Sequence, residues 1–203
     1  MTQIIMIKEQ LLLEFGAQIK EYSKNELIFT ENETARNYFQ ILHGIVKMNN
    51  YNEQGKEFIQ GVFYKQQSFG EPPLFINVKY PANAEALTRV ELLVLPKKNL
   101  LHLLHNTPGI HLNFTKNLAK RLYYKSIIAS EIASQEPEHR VLRFFDYLKN
   151  DIYKVEGKFA LKIVYTRQQI ADILGLRVET IIRVIKNLEK KNELQIINRK
   201  VFR

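Results

Sequence analysis

The chain has 203 residues, of which 45% are hydrophobic and none is cysteine, and it carries a formal net charge of +9. This hydrophobic content supports one large or two modest folded domains and argues against a disordered chain. The absence of cysteine excludes disulfides, zinc–thiolate sites and ordinary iron–sulfur clusters. No apolar run approaches the roughly 20 residues that cross a bilayer, so we expect a cytoplasmic protein without a membrane segment.

The first part of the chain is predicted to form a short helix followed by a series of strands. Residues 1–20 place apolar side chains near one face of an amphipathic helix. The turn at residues 52–57 has Gly55 at the tip of a hairpin. The clearest strand-like runs are ELIFT, YFQILHG, IVKMNNY, EFIQGVFY and VELLVLP. Short strands at this spacing predict a jelly roll, also called a double-stranded β-helix.

Helical spacing of the apolar residues returns after Pro96. We predict a helix over residues 97–105 and then a longer helix that extends to about residue 134. Pro137 follows this helix, and proline disfavours helical geometry in the residue before it. The predicted organisation is that of an α+β protein with a β-roll over 1–106, a long helix over 107–136 and a separate domain over 137–203.

The long helix contains a heptad-like seam of mostly apolar residues. Its members follow spacings of four, three, four and three, and they are Leu118, Leu122, Lys125, Ala129 and Ile132. Such a seam favours pairing with the same helix of a second copy of the chain. The alternative is a helix whose apolar side packs on the sheet of its own domain.

Residues 166–190 indicate two helices joined by a tight turn. Thr166 and Gln169 have the spacing of a capping box, which fixes the start of the first helix. Gly175 follows an apolar stripe and can adopt the left-handed conformation that ends a helix. A second apolar stripe runs from Leu176 to Leu188. Two helices that bury facing stripes predict a helix-turn-helix unit.

The segments on either side of residues 166–190 predict that the helix-turn-helix is of the winged type. We expect a helix over residues 139–149, a strand over 158–165 and a small terminal hairpin that turns at Asn198 and Arg199. A two-stranded ribbon beside a helix-turn-helix forms the wing.

The second helix of the unit has the side chains and the charge that nucleic acid requires. Residues 137–203 hold 15 Lys and Arg against 8 Asp and Glu, so most of the net positive charge of +9 lies in the last third of the chain. Such a localised charge favours a double-stranded DNA partner. An ordinary helical hairpin in a globular core is the alternative. The side chains expected to point outward are Arg177, Glu179, Thr180, Arg183 and Lys186.

Three stretches together resemble the family of the cyclic-AMP receptor protein and the fumarate–nitrate reduction regulator, the Crp/Fnr family. The first is the turn Glu53-Gln54-Gly55-Lys56-Glu57. The second is Phe69-Gly70-Glu71 followed by Leu74-Phe75, which is similar to the family's G-E-x-x-L-F cassette. The third is TRQQIADILGLRVETIIRVIKNLE, which is similar to the family's DNA-reading segment.

The resemblance implies a homodimeric transcription regulator, with RNA polymerase as a candidate partner, and it assigns roles to individual residues. Glu179 and Arg183 match the family's pair of base readers, which implies an inverted-repeat operator with a TGA-type core. Val178 stands where the cyclic-AMP branch has arginine, so we expect a changed outer half-site, and Thr180 completes the base-reading set. The residues assigned to DNA phosphates are Thr166, Arg167, Gln168, Arg177 and Lys186.

The same resemblance predicts a degenerate sensor. Pro81 and Ala82 occupy the positions of the arginine and the serine or threonine that hold the phosphate in cyclic-nucleotide members. Because a buried phosphate without a positive partner is costly, we expect neither cAMP nor cGMP to bind in the family's manner. No cofactor is predicted and the effector is unknown, although haem stays open because the chain has His43, His102, His105 and His111. The candidate effector pocket consists of Gly70, Glu71, Lys79, Arg121 and Lys125.

Two other classes of protein were weighed against the regulator. A jelly-roll enzyme of the cupin type needs clustered metal ligands on its strands, and His43 has no histidine partner at the required spacing. An effector-binding adaptor would use the terminal domain to contact protein instead of DNA. We therefore predict a DNA-binding regulator and no enzyme.

Overall fold

The computed structural model describes residues 7–55, 57–134 and 136–203. The chain divides into two compact units, Met1–Leu122 and Tyr123–Arg203. The boundary between them falls within the long helix. No helix in the described part of the chain combines the length and the apolarity that a membrane span needs.

The first unit is an antiparallel β-roll made of two four-stranded sheets. Its strands are β1 (Gln18–Tyr22), β2 (Leu27–Phe29), β3 (Asn37–His43), β4 (Val46–Tyr51), β5 (Glu57–Phe63), β6 (Ser68–Phe69), β7 (Asn83–Ala86) and β8 (Val90–Pro96). One sheet has the order β1-β8-β3-β6 and the other has the order β2-β7-β4-β5. The predicted jelly roll is therefore confirmed, including the hairpin between β4 and β5.

The core of the roll lies between the two sheets and under the flanking helices. Phe29 stacks on Tyr80 with ring centroids 3.7 Å apart, and Phe39 stacks on Phe69 at 5.4 Å. The helices of this unit are α1 (Glu9–Glu14), α2 (Pro72–Ile76), α3 (Lys97–Asn106) and the first part of α4 (Pro108–Ser134). Leu100, Leu103 and Leu104 of α3 are buried in the same core.

The prediction of one helix over residues 1–20 was wrong for its second half. The helix α1 ends at Glu14, and Gly16 follows with φ of +89°, a conformation that glycine adopts without steric cost. Residues Gln18–Tyr22 then form the strand β1 and pair with β8, about seventy residues away in the sequence. Residues 1–6 of the predicted helix lie outside the described residues.

The predicted seam on α4 is altered by the core of the roll. Phe114 is buried in that core, and Leu118 packs against it, so Leu118 is not on the exposed side of the helix. Leu112 and Leu122 are exposed instead, at 55% and 71%. Lys125 is also exposed, whereas the side chains of Ala129 and Ile132 lie outside the described residues.

The second unit is a winged helix-turn-helix, as predicted. Its elements are the end of α4, α5 (Pro137–Tyr147), a π-helical turn (Leu148–Ile152), β9 (Lys162–Ile163), α6 (Arg167–Leu174), α7 (Val178–Lys190), β10 (Gln195–Ile197) and β11 (Lys200–Phe202). The wing hairpin gains a third strand, because β11 also pairs with β9. Phe144, Phe145, Ile170, Ile181 and Leu188 are buried in this unit.

Candidate nucleic-acid interface

The start of α6 is fixed by a reciprocal capping box. The backbone N–H of Gln169 donates to Oγ1 of Thr166 at 3.1 Å, and the backbone N–H of Thr166 donates to Oε1 of Gln169 at 2.9 Å. These two bonds satisfy amides that would otherwise lack a partner at the helix start. The predicted capping box is confirmed.

A tight turn then sets the direction of α7. Gly175 has φ of +64°, and the backbone N–H of Leu176 donates to the carbonyl of Ala171 at 2.9 Å. A side chain at position 175 would be strained in this left-handed conformation, which explains the glycine. Arg177 follows in extended geometry at the N-cap position of α7, and its side chain makes no capping hydrogen bond.

The helix α7 has one buried face and one exposed face. Ile181, Val184, Ile185 and Leu188 point into the unit and are at most 3% exposed. Glu179, Arg183 and Lys186 are exposed on the opposite side, while Val178 and Thr180 are half-buried. The two predicted base readers therefore stand one helical turn apart on the solvent side, where residues four apart share a face.

Four of the five side chains predicted to contact phosphates lie around the two helix starts, and the fifth, Lys186, lies further along α7. Gln168 is held in place because its Nε2 donates to Oδ1 of Asp172 at 2.8 Å. Arg167 is half-buried, and this burial lowers the pKa of its guanidinium from the usual value. Arg177 is exposed, as is Thr166, whose hydroxyl oxygen already accepts the capping bond.

The wing adds two cations that the sequence interpretation did not assign to DNA. Asn198 and Arg199 form its tip with φ of +48° and +64°, and Arg199 and Lys200 are exposed. Positive φ at both central residues is the geometry of the tight two-residue turn that joins β10 and β11. Two basic residues at the predicted hairpin turn were the signal available in the sequence.

The wing is joined to α5 by Arg203. The Nε atom of Arg203 donates to Oδ1 of Asp146 at 2.7 Å, and its Nη1 donates to Oε2 of Glu193 at 2.7 Å. The backbone N–H of Ile196 also donates to Oε1 of Glu189 on α7 at 3.1 Å. These contacts hold the wing against both α5 and α7.

A second group of predicted residues meets inside the β-roll. The carboxylate of Glu71 is fully buried, and Nη1 of Arg121 lies 3.0 Å from each of its oxygens. The hydroxyl of Ser68 donates to the same carboxylate, and Nη2 of Arg121 donates to the carbonyl of Ser68. The guanidinium also lies over the ring of Phe63, 5.4 Å from its centroid. Glu71 therefore has a charged partner from its own chain.

The remaining members of the predicted effector pocket are Gly70, Lys79 and Lys125. Lys79 is exposed and forms an isolated backbone bridge with Thr34. Lys125 belongs to the second unit and is exposed, and Gly70 precedes Glu71 with φ of +72°. Among the described residues, no three acidic or histidine side chains are grouped as metal ligands.

Comparison with known proteins supports this division of the chain. Residues 19–107 match the model of the cyclic nucleotide-binding domain, and residues 139–202 match the model of the Crp-like helix-turn-helix domain. The "cAMP-activated global transcriptional regulator CRP" of Haemophilus influenzae is 26% identical over 86% of this chain and 78% of its own length. The chain belongs to the Crp/Fnr family of transcription regulators.

Two further proteins similar to this chain have names that refer to different regulatory roles. The "Global nitrogen regulator" of Nostoc sp. is 23% identical over 92% of this chain and 85% of its own length. The solved structure of the c-di-GMP-responsive global regulator CLP of Xanthomonas campestris has a TM-score of 0.76 at 21% identity and covers 96% of this chain and 98% of its own. Membership in the family therefore does not identify the effector of this regulator.

The Crp/Fnr assignment also decides between the classes of function. The helix-turn-helix match makes this chain a DNA-binding transcription regulator, and the matched domains and relatives are those of regulators and not of enzymes.

Proposed function

We propose that this regulator is a homodimer that binds an inverted repeat with a TGA-type core and does so without a cyclic nucleotide. The observation that supports it most directly is the exposed pair Glu179 and Arg183 on the solvent face of α7. We place the regulator in the cytoplasm, because a DNA-binding regulator of this family acts on the chromosome there. RNA polymerase is its candidate protein partner.

The proposed core follows from the hydrogen-bonding groups of the two readers. A glutamate can accept a hydrogen bond from N4 of cytosine, and an arginine can donate two to O6 and N7 of guanine. Residues four apart on one helix reach neighbouring base pairs of the same groove. Val178 is half-buried and offers no hydrogen bond, so the outer base pair is read differently from the cyclic-AMP branch.

The proposed dimer uses the exposed side of α4. Leu118 packs against the roll and therefore cannot belong to the seam. The revised seam has the exposed Ala119 in its place and keeps Leu122. The exposed residues Leu112, Thr115, Ala119 and Leu122 follow spacings of three, four and three, which is the pattern of a two-stranded coiled coil. Pairing along this side would present two copies of α7 to successive major grooves about 34 Å apart.

The proposed loss of cyclic-nucleotide sensing combines two observations. The sequence has Pro81 and Ala82 where nucleotide-binding members of the family place the phosphate ligands. The carboxylate of Glu71, which would bind the ribose hydroxyls, is occupied by Arg121 and Ser68. A nucleotide would have to compete with this ion pair and would find no cation at positions 81 and 82 for its phosphate.

The sensor proposal predicts that Arg121 is a structural partner of Glu71. Changing Arg121 to Met should lower the free energy of unfolding of the full chain by about 3 kcal/mol, because a buried carboxylate loses its cation. The double variant Arg121→Met/Glu71→Gln should recover part of this loss in urea denaturation. Calorimetric titration of the parent with cAMP and with cGMP should show no binding at millimolar concentration. Saturable binding of either nucleotide would contradict a degenerate sensor.

The function itself is tested by selecting DNA sites from a random duplex library with the purified protein. We expect an enriched inverted repeat with TGA in each half, selected equally with and without added cAMP or cGMP. Enrichment only in the presence of a cyclic nucleotide would contradict the proposal, whereas enrichment only with a cell metabolite extract would reveal a different effector. Weak, salt-insensitive binding with no enriched sequence would favour the protein-binding adaptor.

A further inference from the structure

One side chain on the solvent face of α7 is apolar. Ile182 is 42% exposed, whereas Ile181, Val184, Ile185 and Leu188 are buried and Val178, the first residue of the helix, is half-buried. It lies three residues after Glu179, directly before Arg183 and four residues before Lys186, all of which are exposed. The packing of α7 against its own unit therefore leaves this isoleucine on the face that would read DNA.

The position of Ile182 determines which groups it can reach. Residues three and four apart on a helix are neighbours on its surface, so Ile182 stands between Glu179 and Lys186 and beside Arg183. Where those residues enter the major groove, Ile182 enters with them. The apolar group that the base pairs present in the major groove is the C5-methyl group of thymine.

The chemistry of isoleucine suits this contact. A β-branched side chain in a helix has one strongly preferred χ1 rotamer, so little conformational freedom is lost when it meets a base. Isoleucine has no hydrogen-bonding group, and its contact with polar base edges would leave those edges without partners. Its preference among bases therefore comes from burying apolar surface against a methyl group.

We propose that Ile182 is a specificity-determining residue that recognises a thymine, through its C5-methyl group, beside the base pairs read by Glu179 and Arg183. This inference rests on the proposed DNA-binding surface and adds a base preference to it. The preference is for one thymine in each half-site.

The test removes single methyl groups from the DNA. Duplexes carrying the selected operator are made with each thymine replaced in turn by uracil, which differs only by that methyl group. The affinity of each duplex is measured for the parent and for Ile182→Ala. We expect a single uracil at one thymine position of either half-site to weaken binding by the parent about fourfold. Ile182→Ala should bind the thymine operator less tightly and show no further loss with uracil at that position.

Ile197 provides a matched control. It is an isoleucine of the same unit with similar exposure, 45%, but it lies on the wing strand β10 and not on α7. Ile197→Ala should keep the full uracil penalty of the parent. Thermal unfolding of both variants checks that the fold is retained.

The outcomes separate this inference from the proposed function. If the parent binds its operator specifically and no uracil substitution weakens it, or if Ile182→Ala keeps the same penalty, Ile182 does not read thymine and the regulator assignment stands. If selection yields no specific site, both proposals fail.

Discussion

Replacing Arg183 with alanine is expected to weaken binding to the selected operator by about 1–3 kcal/mol per half-site. The loss arises because two hydrogen bonds from the guanidinium to guanine disappear, and it should be confined to duplexes that contain that guanine. Glu179→Ala should relax the preference at the neighbouring base pair and leave the other positions unchanged. Fluorescence anisotropy with operators mutated at one position at a time measures both effects.

Lys186 serves as the matched control on the same face of α7. It is exposed, and its flexible ammonium group is suited to a phosphate. Lys186→Ala should weaken binding to all sequences alike and reduce the slope of log affinity against log salt by about 1. Operator binding by both Glu179→Ala and Arg183→Ala at the strength of the parent would show that these residues are not the base readers.

Changing Leu122 to Glu is expected to convert the proposed dimer to a monomer. The leucine is 71% exposed, so its replacement removes little from the core of its own roll. In a symmetric pair of helices the change occurs twice and places two like charges opposite each other. We expect the dissociation constant of the dimer to rise about 100-fold or more, measured by sedimentation equilibrium. Operator affinity should fall as well, because each half-site would bind separately.

Lys120→Glu is the control for this experiment. Lys120 is an exposed residue of α4 that lies outside the proposed seam, and the change alters the charge more than Leu122→Glu does. The variant should remain dimeric. A dimer that survives Leu122→Glu would show that this side of α4 is not the interface.

Local signals explain why the DNA-reading unit could be predicted so closely. The capping box at Thr166 and Gln169, the left-handed Gly175 and the turn at Asn198 each depend on residues within a few positions of one another. The spacing of the buried stripe on α7 likewise follows from helix geometry alone. The pattern of polar and apolar residues along the sequence was therefore sufficient to predict the helix-turn-helix and wing of this unit. The same pattern predicted that Glu179 and Arg183 point outward.

Pairings between segments that are far apart in the sequence could not be predicted in this way. The strands β1, β6 and β7 are short, and each is a strand only because its backbone pairs with a segment far away in the sequence. Residues 1–20 matched a helical pattern, but pairing with β8 and the left-handed Gly16 ended the helix early. The local spacing of apolar residues does not show whether a segment will continue as a helix or pair with a distant strand.

The sequence by itself determined the class of fold, the winged helix-turn-helix and the polar residues that are exposed on α7, because each of these is encoded by short-range spacing and charge. Three features required the three-dimensional arrangement of the chain. Arg121 meets Glu71 across fifty residues, Leu118 turns into the roll and leaves Leu122 outside, and Ile182 stays exposed among polar neighbours. Each depends on which side of a helix is covered by the rest of the fold, and only packing decides that.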